Sequence, residues 1–539
     1  MHDDHDGAPS APVPEVRQAR PRRVVVRLLA VVLLVVASVT FGVTTAEAPG
    51  TLGPHLARYQ MTVDHEVTID LGPLGTLVID SPLPFVLGAR VTVEEIPAEL
   101  SALDQSATIA AISGDLQKYL QFFGSPQVTL EAAARALLLD ALRRTLTAMV
   151  VLVGAWYLLR RLLGPVRRHE LAGSARAHQG VIAAGTAAAL LVVGTVSASE
   201  RRASVAVGER HASAVFDGTP LEGARITGRL AGLIDTYGGY ALDLYRENEQ
   251  FYTNAADAVS LAWADQSLRD EADVLLNGPH APTADTIDAL VISDLHCNVG
   301  MARVITRVAE LAELDLVLNA GDSTIDGTAV ESYCVQSFAQ AVPDGVGYVV
   351  ADGNHDSALT SQQEAAAGAV VLSGQVVEVE GLRILGDSDP NETRIGEGTH
   401  PVGEESAADE SARLADVACE DGDVDLLLIH TPVVGTDALE RGCVPAQVSG
   451  HLHSRQGPFP FGEGVRYISS STAGARLYEP TVGPLVGTAE MTILRFDAET
   501  HRIRDYRLIQ VFPSGEAVVG PALRWPSSPV VMPPLDAPV

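Results

Sequence analysis

A chain of 539 residues is long enough for more than one domain, and a 47% hydrophobic content leaves ample material for buried cores. The formal net charge of −31 makes a nucleic-acid polymer a poor partner, because a negative field repels phosphates at long range. The N-terminal apolar region is nevertheless basic, so the acidity lies further along, in runs such as Glu404-Glu405, Asp409-Glu410 and Glu420-Asp421-Gly422-Asp423.

Residues 1–20 are polar and rich in Pro and charge, and read as a disordered cytoplasmic tail. Residues 24–45 form a near-continuous Val, Leu and Ala run, long enough for a first transmembrane helix. Arg17, Arg20, Arg22 and Arg23 lead into it, which keeps the N-terminus cytoplasmic. Ala46-Glu47-Ala48 has the form of a signal-peptidase site, so cleavage of the run stays open beside an uncleaved anchor.

Residues 47–142 read as a small exported α+β segment, with strand-like alternation at 61–70 and 75–80 and a helical pattern from about Pro97. A second transmembrane helix is expected at 143–163 and a third at 179–198. The loop between them, 164–178, carries Arg167, Arg168 and Arg176, which places it in the cytoplasm. Three crossings leave everything after residue 198 outside; losing either of the later two would return it to the cytoplasm. A buried helical hairpin in a soluble domain is the alternative. Residues 199–284 form a second exported accessory segment. Gly223-Ala224-Arg225-Ile226-Thr227 in it is similar to Gly88-Ala89-Arg90-Val91-Thr92, and if this is a repeat the two segments pair into one sheet.

Between 285 and 515, short apolar runs end in side chains that ligate metals. They read Val-Ile-Ser-Asp294-Leu-His296, Asn319-Ala-Gly321-Asp322, Asp352-Gly353-Asn354-His355-Asp356, Leu-Leu-Leu-Ile-His430 and Gly450-His451-Leu-His453. Runs this short suit strands, and groups just past strand ends gather on one rim of an α/β layer. Carboxylate, amide oxygen and imidazole suit divalent Mn, Fe or Zn. Helices are expected at 299–314 and 329–341, and strands at 375–385 and 491–505. The acidic stretch 391–423 reads as a solvated loop, and 516–539 as a Pro-rich C-terminal tail.

The four cysteines, Cys297, Cys334, Cys419 and Cys443, all fall in this last region. An even set outside a membrane is compatible with two disulfides in one of three pairings. The pairing adopted joins Cys297 to Cys334 and Cys419 to Cys443. A thiolate ligand from Cys297 is the competing reading.

The ordered motifs resemble the calcineurin-like metallophosphoesterase superfamily, whose pattern is Asp-x-His, Gly-Asp, Gly-Asn-His-Asp/Glu, His and Gly-His-x-His. Within it the chain looks most like bacterial membrane-anchored phosphodiesterases. The resemblance implies an α/β fold of the α+β layered kind, a two-sheet metallophosphoesterase sandwich flanked by helices, here preceded by the transmembrane region and its small exported segment. It implies two divalent metal ions. Asp294, His296 and His453 would hold one, Asn354, His430 and His451 the other, and Asp322 would bridge them. His355 would be the general acid for the leaving oxygen, or would only orient a phosphate, with Asp356 or Asp322 as its partner.

The sequence departs from the phosphoprotein phosphatases of that superfamily. Gly321-Asp322-Ser-Thr-Ile-Asp326-Gly327 lacks the arginine of their Gly-Asp-x-Val-Asp-Arg-Gly, so a phosphoprotein substrate is disfavoured. In Gly450-His451-Leu452-His453-Ser454-Arg455-Gln456, Arg455 is either a reader of a second phosphate or anionic headgroup or a surface arginine with no catalytic part, and Arg466 and Arg476 are further candidates. The resulting expectation is a membrane-anchored, extracytoplasmic phosphoesterase that cleaves a phosphodiester or phosphomonoester with metal-activated water. Its substrate would be an envelope lipid or a nucleotide. The alternative is a non-catalytic sensor or scaffold that binds metal or phosphate without turnover.

Overall fold

The computed structural model describes residues 20–52, 55–81, 86–94, 126–164, 211–217, 223–278, 285–394, 397–476 and 483–527, with a few single positions between them. Its first part runs α1 (Arg20–Thr44), β1 (Glu47–Leu52), β2 (His55–Thr62), β3 (Glu66–Asp70), β4 (Thr76–Asp80), β5 (Gly88–Val93) and α2 (Pro126–Leu162). Two short strands, β6 (His211–Ala212) and β7 (Arg225–Ile226), then join the same sheet, in the order β1-β2-β5-β3-β4-β7-β6. The two accessory segments therefore share one sheet, with Leu77 opposite Ile226 and Val78 opposite Arg225. The similar pentapeptides are not equivalent in it: β5 lies between β2 and β3, whereas β7 lies between β4 and β6. The expected strand at 61–70 is two strands, reversed through His65 at φ 58°.

Among the described residues no helix is long and apolar enough to cross a membrane, so the crossings expected at 24–45 and 143–163 are not supported. Arginines bound the uncharged part of each helix. After Arg27, α1 has an uncharged stretch of 28–44, about 26 Å of helix. In α2 the uncharged stretch between Arg144 and Arg160 is 145–159, about 22 Å. A hydrocarbon core is about 30 Å thick. α2 is also continuous from Pro126, so the boundary expected at residue 143 falls inside it. Its inner half buries Ala133, Leu137 and Ala141 against Ala48, Ala57, Tyr59 and Val91 of the sheet. The third expected crossing, 179–198, and the helical pattern expected from Pro97 lie outside the described residues, as does the tail 1–19.

A 49-residue helix, α3 (Arg229–Asn277), leads to the second part. It runs β8 (Thr286–Ile292), α4 (Met301–Ala312), β9 (Leu316–Asn319), α5 (Ser332–Ala341), β10 (Gly347–Val350) and α6 (Ala358–Ala366). Next come β11 (Val370–Val371), β12 (Val377–Val379), β13 (Leu382–Leu385), β14 (Asn391–Arg394), β15 (Gly398–Pro401), α7 (Ala407–Asp421), β16 (Leu426–Leu428) and α8 (Thr436–Glu440). The chain closes with β17 (Ala446–Ser449), β18 (Gln456–Phe461), β19 (Gly464–Ile468), β20 (Ala489–Asp497), β21 (Ile503–Val511), β22 (Ala517–Val519) and β23 (Leu523–Arg524).

These strands make two large sheets. One has the order β11-β10-β9-β8-β20-β21-β22, with β23 also on β21, and the other β12-β13-β16-β17-β19-β18. The strand period of two sorts their side chains. From β8, Ala289 and Val291 point between the sheets to meet Leu382, Ile384, Leu426, Leu428 and Val448. Leu290 and Ile292 point outward to Val304, Ile305 and Val308 of α4 and to Tyr252 and Val259 of α3. On the outer face of the second sheet, Leu385, Leu427 and Ile429 pack against Leu414, Ala415 and Ala418 of α7. The result is a mixed α/β sandwich with helices on both outer faces.

Two stretches differ from their sequence reading. The solvated loop expected at 391–423 contains the β14–β15 hairpin and α7. α7 forms because Leu414, Ala415 and Ala418 share one face and the Ser406 hydroxyl accepts a hydrogen bond from Asp409 N in a capping box. The Pro-rich tail expected from 516 still supplies β22 and β23, and Trp525 is buried edge-on against Tyr467 and Tyr506. Both disulfides have the expected pairing, Cys297–Cys334 and Cys419–Cys443, so Cys297 is not a thiolate ligand.

Two stability measurements follow from these contacts. Replacing Cys419 and Cys443 together by Ser should cost about 3 kcal/mol in denaturant unfolding, because their bond closes a loop between α7 and the segment after α8. Glu410 of α7 is 2% exposed, and burial followed by the charges of Asp387 and Asp389 pushes its pKa up to about 8. Its folded pKa exceeds the unfolded value of 4.5, so the native state holds the extra proton and stability falls as pH rises between the two. Glu410→Gln should therefore exceed the parent by on the order of 2 kcal/mol near pH 8.5, with the difference gone below about pH 4. Equal stabilities at both pH values would refute it.

Candidate metal centre and active site

β8, β9 and β10 run parallel in one sheet, and β13, β16, β17 and β19 run parallel in the other. Their C-terminal ends meet at one rim. Asp294 and His296 follow β8, Asp322 follows β9, Asn354 follows β10, His430 follows β16, and His451 and His453 follow β17. The structure brings all seven candidate ligands together there.

They form two groups that share Asp322. In the first, His453 Nε2 lies 3.3 Å from Asp294 Oδ1 and 3.0 Å from His296 Nε2, which is 3.7 Å from Asp322 Oδ2. Ligand atoms from Asp294, His296, Asp322 and His453 all fall within 4.8 Å of one another. In the second, His430 Nε2 is 3.2 Å from Asp322 Oδ2 and 3.1 Å from Asn354 Oδ1, and His451 Nδ1 is 2.9 Å from the same amide oxygen.

The backbone is bent to achieve this. Asp294, His296, Asp322, His451 and His453 have φ of 52°, 40°, 59°, 73° and 50°, a region that costs a non-glycine residue of order 1–3 kcal/mol. Backbone bonds hold the bends: Asp294 N donates to Gly321 O, and Leu295 N and His296 N both donate to Asp322 O, each at 2.9 Å. Two glycines allow the close approach. A Cβ on Gly353 would strike the Asp322 carboxylate, and one on Gly450 would strike Ser293 Oγ and stand 2.8 Å from Asp294 Oδ2.

The donor set fits a cation. His430 Nδ1 lies 2.6 Å from Ala320 O, and a carbonyl only accepts, so Nδ1 carries the hydrogen. The Nε2 lone pair therefore faces the oxygen lone pairs of Asp322 and Asn354, an arrangement that only a cation or a proton reconciles. Charge agrees with this. Burial alone would lower His430, but the charge of Asp322 and its hydrogen bond outweigh it and raise the imidazole pKa to about 10. Burial drops His296 to about 4, which leaves its ring neutral and fit to ligate. Burial would raise Asp322, yet His430 holds it below the usual carboxylate range.

His355 stands at the edge of this centre, its ring edge-to-face with His296 at 4.9 Å. Its Nδ1 donates to Ile325 O at 2.6 Å and its backbone N to Asp322 Oδ1 at 2.8 Å. The orienting partner of the ring is thus a backbone carbonyl, not the carboxylate of Asp356 or Asp322. Asp356 has another task. It accepts from the backbone N of Asp322, Ser323, Thr324 and Gly353 at 2.8–3.2 Å, which staples the β9 loop to the β10 loop.

Glu331 was not singled out in the sequence, yet it accepts from Ile325 N, Asp326 N and Thr328 N and so fixes the carbonyl that holds His355. Its signal was available as Thr328-x-x-Glu331, a capping box. Two of the three arginine candidates are otherwise engaged. Arg455 Nε pairs with buried Glu490 at 2.9 Å, and Arg466 donates to Gln447 and Thr436 and lies over the Phe461 ring. Arg476 is exposed beside Gly487.

Residues 287–455 match the family described as calcineurin-like phosphoesterase. No curated protein matches the chain. Among solved structures, an archaeal phosphodiesterase is similar at 14% identity and a TM-score of 0.26, over 42% of this chain and 99% of that one. An NAD nucleotidase from Haemophilus influenzae is similar at 14% identity and a TM-score of 0.26, over 44% of this chain and 50% of that one. A dimetal phosphatase from Danio rerio is similar at 11% identity and a TM-score of 0.28, over 45% of this chain and 100% of that one. Over residues 287–455, then, the chain is similar to the calcineurin-like phosphoesterases, with a cluster of Asp and His side chains able to hold a divalent metal.

Proposed function

We propose that this protein is a metallophosphoesterase that hydrolyses a phosphodiester or phosphomonoester with two divalent cations, Mn, Fe or Zn. The observation that carries the reading is the shared position of Asp322 between two groups of nitrogen and oxygen ligands, with His355 beside them. A cation pair held there would lower the pKa of a shared water and offset phosphoryl charge. Asp294, His296 and His453 would hold one cation and Asn354, His430 and His451 the other. The chain's own part is to keep those ligands rigid and to present His355. Because Nδ1 of His355 is committed to Ile325 O, only Nε2 is left to pass a proton to a leaving oxygen.

Membrane attachment belongs to the same proposal. Leu28, Val32, Leu33 and Phe41 of α1 and Val150, Trp156 and Leu159 of α2 are exposed apolar side chains, a surface that a lipid phase would cover. β4 and β7 pair, so residues 76–80 and 225–226 lie on one side of any bilayer. The two disulfides suit an oxidising compartment and hence an extracytoplasmic catalytic domain. An envelope lipid or a nucleotide fits such a place, and a nucleic-acid polymer does not fit the charge of −31.

Full-length protein in detergent should cleave bis-p-nitrophenyl phosphate or p-nitrophenyl phosphate once supplied with Mn, Zn or Fe. His296→Ala and Asp322→Asn should each reduce the rate at least about 100-fold. Two bound cations with no turnover on any phosphoester would instead favour the sensor reading. His355→Ala should reduce kcat by about 100-fold on an alkyl phosphodiester and much less on the p-nitrophenyl ester, whose leaving group needs no proton. Equal losses on both would remove His355 from the role of acid.

A further inference from the structure

The β14–β15 hairpin belongs to neither large sheet; its strands pair only with each other. It lies instead against the loop that carries Asn354 and His355. Thr393 N donates to Asn354 O at 2.6 Å, and Asn354 Nδ2 donates to Thr393 Oγ1 at 2.7 Å. Across the hairpin, Thr393 Oγ1 lies 2.8 Å from Thr399 Oγ1, its register partner. The next side chain, Arg394, is 16% exposed; its Nη1 donates to His355 O at 3.2 Å and its Nη2 to Asp356 O at 2.8 Å. Glu392 holds that guanidinium at 2.5 Å from the other side.

We infer that Thr393 is a positioning residue for the second cation: it fixes which end of the Asn354 amide faces the metal centre. The inference rests on the dinuclear reading above. An amide has two nearly isosteric ends, and only the oxygen can ligate a cation. Asn354 is 5% exposed, so water does not select between them. The Thr393 hydroxyl does. It accepts from Nδ2 and shares a second hydrogen bond with Thr399 Oγ1, which leaves Oδ1 turned to His430 Nε2 at 3.1 Å and His451 Nδ1 at 2.9 Å. Without that acceptor, a flipped amide would aim N–H groups at the cation. Arg394 complements this by capping carbonyls of the same loop, so the hairpin sets the amide by one residue and the backbone beneath it by the next.

The test is Mn²⁺ binding to full-length protein in detergent, stripped of metal and followed by calorimetry and electron paramagnetic resonance, for the parent, Thr393→Val and Thr393→Ser. Partners that orient ligands typically contribute 10–100-fold to metal affinity. Thr393→Val is expected to weaken the second Mn²⁺ by at least about tenfold while the first binds as in the parent, so that an isolated-ion signal replaces the spin-coupled pair. Thr393→Ser, which keeps the hydroxyl, should restore both. Retained binding of the first ion shows that the variant is folded; if Val does not fold, Thr393→Ala takes its place. Two Mn²⁺ bound to Thr393→Val with parental affinities overturn the assignment alone. A parent chain that binds no Mn²⁺, Zn²⁺ or Fe²⁺ overturns the dinuclear reading and this assignment with it.

Discussion

Asp322 is a carboxylate at 2% exposure that the fold obliges to stay charged. Taking an ion out of water costs several kcal/mol unless partners replace the solvent, and here they come from every side. His430 approaches from the second sheet, His296 from the β8 loop, and the backbone N of His355 from the β10 loop. Each of those loops must then bend sharply, which explains why left-handed backbone gathers at this rim. The same carboxylate binds the two sheets together at their polar edge, as the apolar side chains do between them.

How much of this was legible depends on the range of the interaction involved. Each ligand stands two to four residues past the end of a short strand, and most follow an apolar run, so that place could be read locally. The runs themselves showed only strands alternating with helices, and the sandwich was an expectation from the family resemblance; in the fold Leu290 and Ile292 on one face and Ala289 and Val291 on the other are covered on both sides. His355 was legible as an adjacent group but not its partner, since Ile325 offers only a backbone carbonyl. The arginines misled for a related reason. Arg455 meets its carboxylate 35 positions away, at Glu490, and no local pattern announces that.

Length and composition misled elsewhere. Acidic residues at 404–423 look like solvent-exposed loop, yet Asp409, Asp416, Glu420 and Asp421 occupy the outer face of a helix whose inner face carries Glu410, Leu414 and Ala418. A proline-rich ending still supplies two short strands, because Tyr467 and Tyr506 leave room for one indole. In the N-terminal part, apolar runs suggested crossings, and no helix among the described residues is long and apolar enough to make one. The single sheet built from residues 47–93 and 211–226 depends on pairing across a wide gap in sequence, visible beforehand only as a conditional.

The helix Arg229–Asn277 begins three residues after Ile226 of the first sheet and is anchored partway along, where the Tyr252 hydroxyl shares its one hydrogen between Asn298 Oδ1 and Gly483 O. Gly300 makes room for that ring. The join between the two parts is therefore a rigid strut. A helix turns about 100° per residue, so adding or removing one residue between 229 and 252 would swing the catalytic rim to a different bearing against the N-terminal sheet. Changes of seven residues, close to two full turns, would nearly restore that bearing while altering the reach by about 10 Å. Length variation in this strut is thus restricted to coarse steps.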